Sequence, residues 1–109
     1  MVSCEEFVKI DIRAGTIVRS ESATGVKKPA IRLWIDFGPL GVKKSSAQIA
    51  HHYTPDELLG RQIICVTNFP PKQIGNFLSE VLVTGFADEN NHVELSSVDK
   101  KVPDGAKLF

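Results

Sequence analysis

Few side chains in this sequence have the type and spacing to do covalent or metal chemistry. The candidates are three histidines and two cysteines. His51 and His52 are adjacent. On a strand, adjacent residues point to opposite faces, so the pair cannot easily hold one ion together. The expectation is two solvated or half-buried rings at a strand end. His92 follows Glu89, Asn90 and Asn91, a turn-like setting. Cys65 lies in the apolar run Ile63-Ile64-Cys65-Val66 with no basic neighbour, which predicts a buried, inert thiol. Cys4 has only the start of a short helix to activate it. The two cysteines form no CxxC and are too few for a disulfide framework, which fits a reducing compartment. The sequence contains no GxSxG, Walker loop, GxGxxG or HExxH. These residues predict a binding domain, not an enzyme, with no metal and no cofactor.

Two stretches have the chemistry of recognition instead. Lys43-Lys44-Ser45-Ser46-Ala47-Gln48 is polar and basic in the middle of a hydrophobic pattern. Lysine, serine and glutamine offer donors to phosphates and base edges with little bulk. The same composition suits a solvated strand whose lysines discourage edge pairing. Trp34 is the second feature. Alternation puts it opposite Ile31, Leu33, Ile35 and Phe37, on a face with Arg32 and Asp36. Either a terminal segment of the chain covers it, or it marks a subunit interface, a peptide groove or a base-stacking platform.

The elements that must position these residues are mostly strands. Ser3 and Glu6 have capping-box spacing, which predicts a short helix into Phe7 and Val8. Extended stretches follow over 9–13 and 14–19, with Gly15 as the expected bulge or bend. Residues 24–29 read as a loop. The alternating strand around Trp34 comes next, then Gly38-Pro39-Leu40-Gly41 as a hairpin turn and 42–50 as the return strand. Thr54, Pro55, Glu57 and Gly60 mark the cap, first turn, capping box and end of a miniature helix. Residues 62–68 predict a strand covered on both faces, and Pro70-Pro71 ends it. Further strands are expected over 79–86 and 93–98, with a turn at Val102-Pro103-Asp104-Gly105. Strands with a short helix between the third and fourth match the all-β OB-fold, a five-stranded Greek-key barrel.

The totals are compatible with this. A chain of 109 residues suits one domain, 1–109. The 42% hydrophobic and 24% charged fractions are ordinary globular values, so disorder is not expected. No apolar run approaches the roughly 20 residues of a membrane helix, and the acidic start resembles no signal peptide. The expectation is a cytoplasmic protein with no membrane insertion. Lys plus Arg and Asp plus Glu both number 13, which counts against a general polyanion binder but permits a local basic patch.

Asp11-Ile12-Arg13-Ala14-Gly15-Thr16-Ile17-Val18 resembles the DxRxGxI opening of the tRNA-binding OB-fold family. That family includes domains appended to methionyl-tRNA and phenylalanyl-tRNA synthetases. Five later segments are more narrowly similar to its CsaA branch of secretion chaperones: 33–38, 43–49, 53–58, 68–72 and 77–83. The resemblance implies an OB-fold homodimer built through N- and C-terminal extensions. It implies tRNA as a partner and, in the CsaA branch, unfolded or precursor polypeptides before export. Carried over for RNA are Lys43, Lys44, Ser46 and Gln48, with Lys72 and Ser79 beyond the fourth strand. Peptide binding is assigned to clefts lined by Trp34, Phe69 and Phe77. Where free-standing tRNA binders read SxGM, this chain has Ser79-Glu80-Val81-Leu82, as in the CsaA branch. The departure shifts the expectation toward a non-catalytic, export-related chaperone with tRNA-binding capacity. The alternative is a structure-selective tRNA binder of the synthetase-accessory type with no chaperone role.

Overall fold

A computed structural model describes residues 1–24 and 27–109 of the chain. Gly25 and Val26, in the expected 24–29 loop, lie outside the described residues. The elements are α1 (Cys4–Phe7), β1 (Ile12–Ser22), β2 (Ile31–Asp36), β3 (Val42–Ala47), α2 (Pro55–Leu58), β4 (Gln62–Val66), β5 (Lys72–Ile74), β6 (Phe77–Ser79), β7 (Leu82–Val83), β8 (Gly85–Ala87) and β9 (Val93–Leu95). A five-stranded antiparallel sheet has the order β3-β2-β1-β4-β7. It curls until the Ser45 hydroxyl on β3 donates to the Val81 carbonyl beside β7, at 2.8 Å. This is the nearly closed, five-stranded all-β barrel of the OB type. The hairpins β5-β6 and β8-β9 lie outside that sheet.

Alternation in β2 builds the core. Ile31, Leu33, Ile35 and Phe37 are all 1% exposed or less, and each contributes about 1.5–3 kcal/mol on burial. Ile17, Ile63, Cys65 and Leu58 complete the interior. Leu58 arrives from α2, which packs against β1. Thr54 donates its N–H to Glu57 Oε1 at 3.0 Å, and Gly60 adopts a left-handed φ of 85° as the helix stops. Ser3 and Glu6 form the expected capping box of α1.

Three local expectations are corrected. Gly15 is not the bulge, since it keeps regular register with Ile63. β1 runs unbroken from Ile12 to Ser22, and its register jumps between Ile17↔Ile35 and Arg19↔Trp34, so Val18 is the bulge. Gly15 is glycine because a Cβ there would lie 2.6 Å from Ile35 Cγ2 and 2.7 Å from the Phe37 ring. The strand expected over 79–86 is three short ones, because the chain leaves β5 after Ser79 and joins β4 at Leu82. β3 ends at Ala47, so Gln48 lies beyond the strand, and His51 and His52 sit in a turn.

The C-terminal segment is laid along β1. Gly105 donates to the Ala14 carbonyl at 2.8 Å, Ala14 to Ala106 at 2.9 Å and Leu108 to Ile12 at 2.8 Å. Asp11 and Arg13, the polar residues of the opening motif, serve this join. Arg13 Nε donates to Asp11 at 3.0 Å, while its Nη1 donates to the Gly105 carbonyl at 2.9 Å. Thr67 donates its hydroxyl to Asp11 Oδ2. These donors, Arg13 first and Thr67 second, hold the Asp11 carboxyl below its ordinary range. The motif is therefore architectural in this chain.

Candidate polypeptide and RNA interface

The barrel's outer face carries a stack of aromatic rings and cations, and the Val18 bulge aims it. Without the bulge, Arg19 would share the inward face of Ile17. With it, Arg19 is opposite Trp34, and its guanidinium lies 4.2 Å from the indole centroid. Trp34 meets Phe77 edge-to-face at 5.6 Å. Arg32 and Lys44 lie 4.8 Å and 4.9 Å from the Phe77 centroid. Trp34 is thus half-buried against Phe77 of the β5-β6 hairpin and Arg19 of β1. Phe77 is 7% exposed, so it forms the base of this surface more than its wall.

Register divides the basic pair. Lys44 is opposite Trp34, on the outer face, whereas Lys43 is opposite the buried Ile35. Ser46 is opposite Arg32 and shares the outer face. Two adjoining depressions, of about 300 and 320 Å³, meet at Ser46 and Ile74. One adds Lys27, Lys28 and Gln48. The other adds Phe69, Lys72, Ser79, Glu80 and Leu82. Each is at the lower limit for a small-molecule pocket, so each has room for a side chain. Together they form one groove between β3 and the β5-β6 hairpin.

The structure therefore brings Ser46, Gln48, Lys72, Ser79 and Phe69 to one groove, with Lys44, Trp34 and Phe77 on the adjoining outer face. Lys43 lies apart from them. Ser79 is already committed: its oxygen accepts from Ser46 N–H at 3.1 Å and lies 3.2 Å from the Ser45 hydroxyl. Phe69, by contrast, is 49% exposed and Leu82 is 50% exposed. Residues not singled out from sequence are Arg19, Arg32 and Glu80. Arg32 was legible, because alternation put it beside Trp34. Arg19 was not, because its placement needs the bulge. Glu80 accepts from Lys44 N–H at 3.1 Å and puts a carboxylate at the groove's edge. Cys65 is buried as expected, and that burial pushes its thiol up to about 12.

Residues 12–107 match the family described as "Putative tRNA binding domain". The chain belongs to the tRNA-binding domain family. Among solved structures, this family member is similar to the chaperone CsaA of Bacillus anthracis, with a TM-score of 0.95 and 46% identity over 100% of this chain and 99% of that one. It is also similar to the CsaA chaperone protein of Picrophilus torridus, with a TM-score of 0.92 and 46% identity over all of both chains. A methionine–tRNA ligase of Porphyromonas gingivalis is 31% identical over 98% of this chain. The tRNA-binding domain described here spans only 15% of that ligase. No helix among the described residues is long and apolar enough to cross a membrane.

Proposed function

We propose that this chain is a non-catalytic, cytoplasmic chaperone of export that holds unfolded or precursor polypeptides in the groove between β3 and β5-β6. The observation that carries the reading is the groove's amphipathic lining. Phe69, Ile74 and Leu82 offer apolar area to any extended segment, while Ser46 and Lys72 offer donors. Apolar burial supplies affinity that tolerates varied sequence. Glu80 at the edge and the zero net charge oppose a purely electrostatic polyanion site. The 46% identity to two chaperones over the whole chain supports the same reading.

The Arg19–Trp34–Phe77–Arg32–Lys44 stack favours a second reading, in which the outer face binds tRNA through phosphates and exposed bases. A homodimer would give either ligand two such faces. Support for it comes from Ile10, Leu108 and Phe109, all exposed apolar residues on the segments joined at Ile12 and Leu108. Sedimentation equilibrium at micromolar concentration should give twice the chain mass.

Suppression of aggregation of an unfolded test protein, followed from low to moderate salt, tests the proposal. Protection by the wild type should persist, because salt does not screen the hydrophobic term. Phe69→Ala should lose most of it. Protection that vanishes with salt while Phe69→Ala stays active would put tRNA binding first.

A further inference from the structure

All three histidines of the chain meet at one place, although they come from segments some 40 residues apart. His51 and His52 stand in the turn after β3, and His92 immediately precedes β9. His51 stacks on His92 with centroids 3.5 Å apart and planes 12° apart, and His52 meets His92 edge-on at 5.8 Å. His52 Nε2 lies 2.6 Å from Asp88 Oδ2 and 3.6 Å from Glu94 Oε1. His52, Asp88 and His92 each present a donor atom within 4.8 Å of the other two. Sequence spacing argued only against His51 and His52 as joint ligands. The structure brings together a different set.

We propose that His52, Asp88 and His92 form a binding site for a divalent transition-metal ion, with Zn²⁺ the best match to two imidazoles and a carboxylate. The donor types suit zinc, which takes neutral histidine nitrogen and aspartate oxygen in four-coordinate sites. A second observation also points to a ligand. His92 Nδ1 is buried and has no hydrogen-bond partner among the described residues, a state in which buried polar atoms are seldom left. The carboxylate is preformed, because Asp88 Oδ1 accepts from the N–H groups of Asn90 and His92, both at 2.9 Å. That leaves Oδ2 aimed at His52.

Donors about 2.0–2.1 Å from a tetrahedral ion stand about 3.4 Å apart. The His52–Asp88 contact must open slightly and the wider pairs must close, movements within reach of side-chain rotation. Glu94 or water would take the fourth position. A bound ion would clip the β8-β9 hairpin, which pairs with no strand of the barrel sheet, to the turn between β3 and α2. It would thereby stabilise the folded chain by mass action.

The test uses the full chain without a histidine tag, stripped with a chelator and titrated with Zn²⁺ against a chromogenic competitor. One ion per chain should bind, and the melting temperature should rise with excess Zn²⁺. Asp88→Asn and His92→Gln should each weaken binding by about tenfold or more and remove the thermal shift. Cys4→Ser should change neither. Far-UV circular dichroism checks that the variants fold. In the unmutated chain, Zn²⁺ should shift the imidazole resonances of His52 and His92. Unshifted imidazoles, binding equal in wild type and a folded His92→Gln variant, or loss of binding in Cys4→Ser would each overturn the site.

Discussion

The join around Asp11 and the groove beside β3 are both rich in polar side chains, yet they spend them differently. At the join, Asp11, Arg13, Thr16, Gln62 and Asp104 all hydrogen-bond within the chain, and they fasten residues 102–108 to β1 and β4. In the groove, Ser79 is consumed in the same way. Lys72, however, is exposed and Phe69 lies half open to solvent. Polar groups paired inside the fold build it, whereas unpaired donors next to exposed apolar area are available to a ligand. The most recognisable motif of the sequence thus belongs to the scaffold, and the proposed binding surface is written in less conspicuous residues.

The largest effect should come from tightening the join. Gly105 has a left-handed φ of 89°, and a Cβ there would lie 2.4 Å from the Phe37 carbonyl oxygen. Gly105→Ala should cost about 2–4 kcal/mol, combining backbone strain with a backbone clash. Urea unfolding would read this, and ligand affinity measured well below the transition should stay unchanged. A lost affinity at full stability would break the division between scaffold and site.

A smaller effect comes from Asp11. Asp11→Asn removes charged hydrogen bonds from Arg13 and Thr67, and should cost about 1–2 kcal/mol at neutral pH. Its carboxyl titrates lower folded than unfolded. The stabilisation is therefore complete above the unfolded value of about 3.9 and is lost as pH falls through the lower folded value. The gap between wild type and variant should stay constant above about pH 5 and shrink in acid. A gap that grows in acid would contradict this assignment.

Much of this architecture was legible along the chain because its causes are local. The alternation of β2 and the caps of α1 and α2 depend on residues within a few positions. The errors arose where tertiary pairing decides. Gly15 was expected as a bulge or bend, but the bulge is at Val18, and glycine at 15 clears Ile35 and Phe37, whose approach involves another strand. Residues 79–86 look like one strand, but a change of partner at Val81 leaves no mark on hydrophobicity. The histidine cluster needs the long-range approach of the β8-β9 hairpin. The splitting of Lys43 from Lys44 was available, since neighbours on any strand face opposite ways.

That split gives the smallest predicted effect on stability and sharpens the groove's side of the comparison. Lys44→Ala should flatten the salt dependence of tRNA binding by about one unit of log–log slope, and Lys43→Ala by less. Neither should move stability by more than about 0.5 kcal/mol. Equal slopes for the two variants would place the RNA elsewhere than the Trp34 face.

Backbone amide shifts of the labelled protein, titrated with an unstructured polypeptide containing spaced apolar residues, test the central claim most directly. The claim predicts saturable shifts at Ser46, Phe69, Ile74 and Leu82, with Arg13, Ala14 and Gly105 unmoved. Shifts centred on the join, or none at the groove while the polypeptide is demonstrably bound, would contradict it.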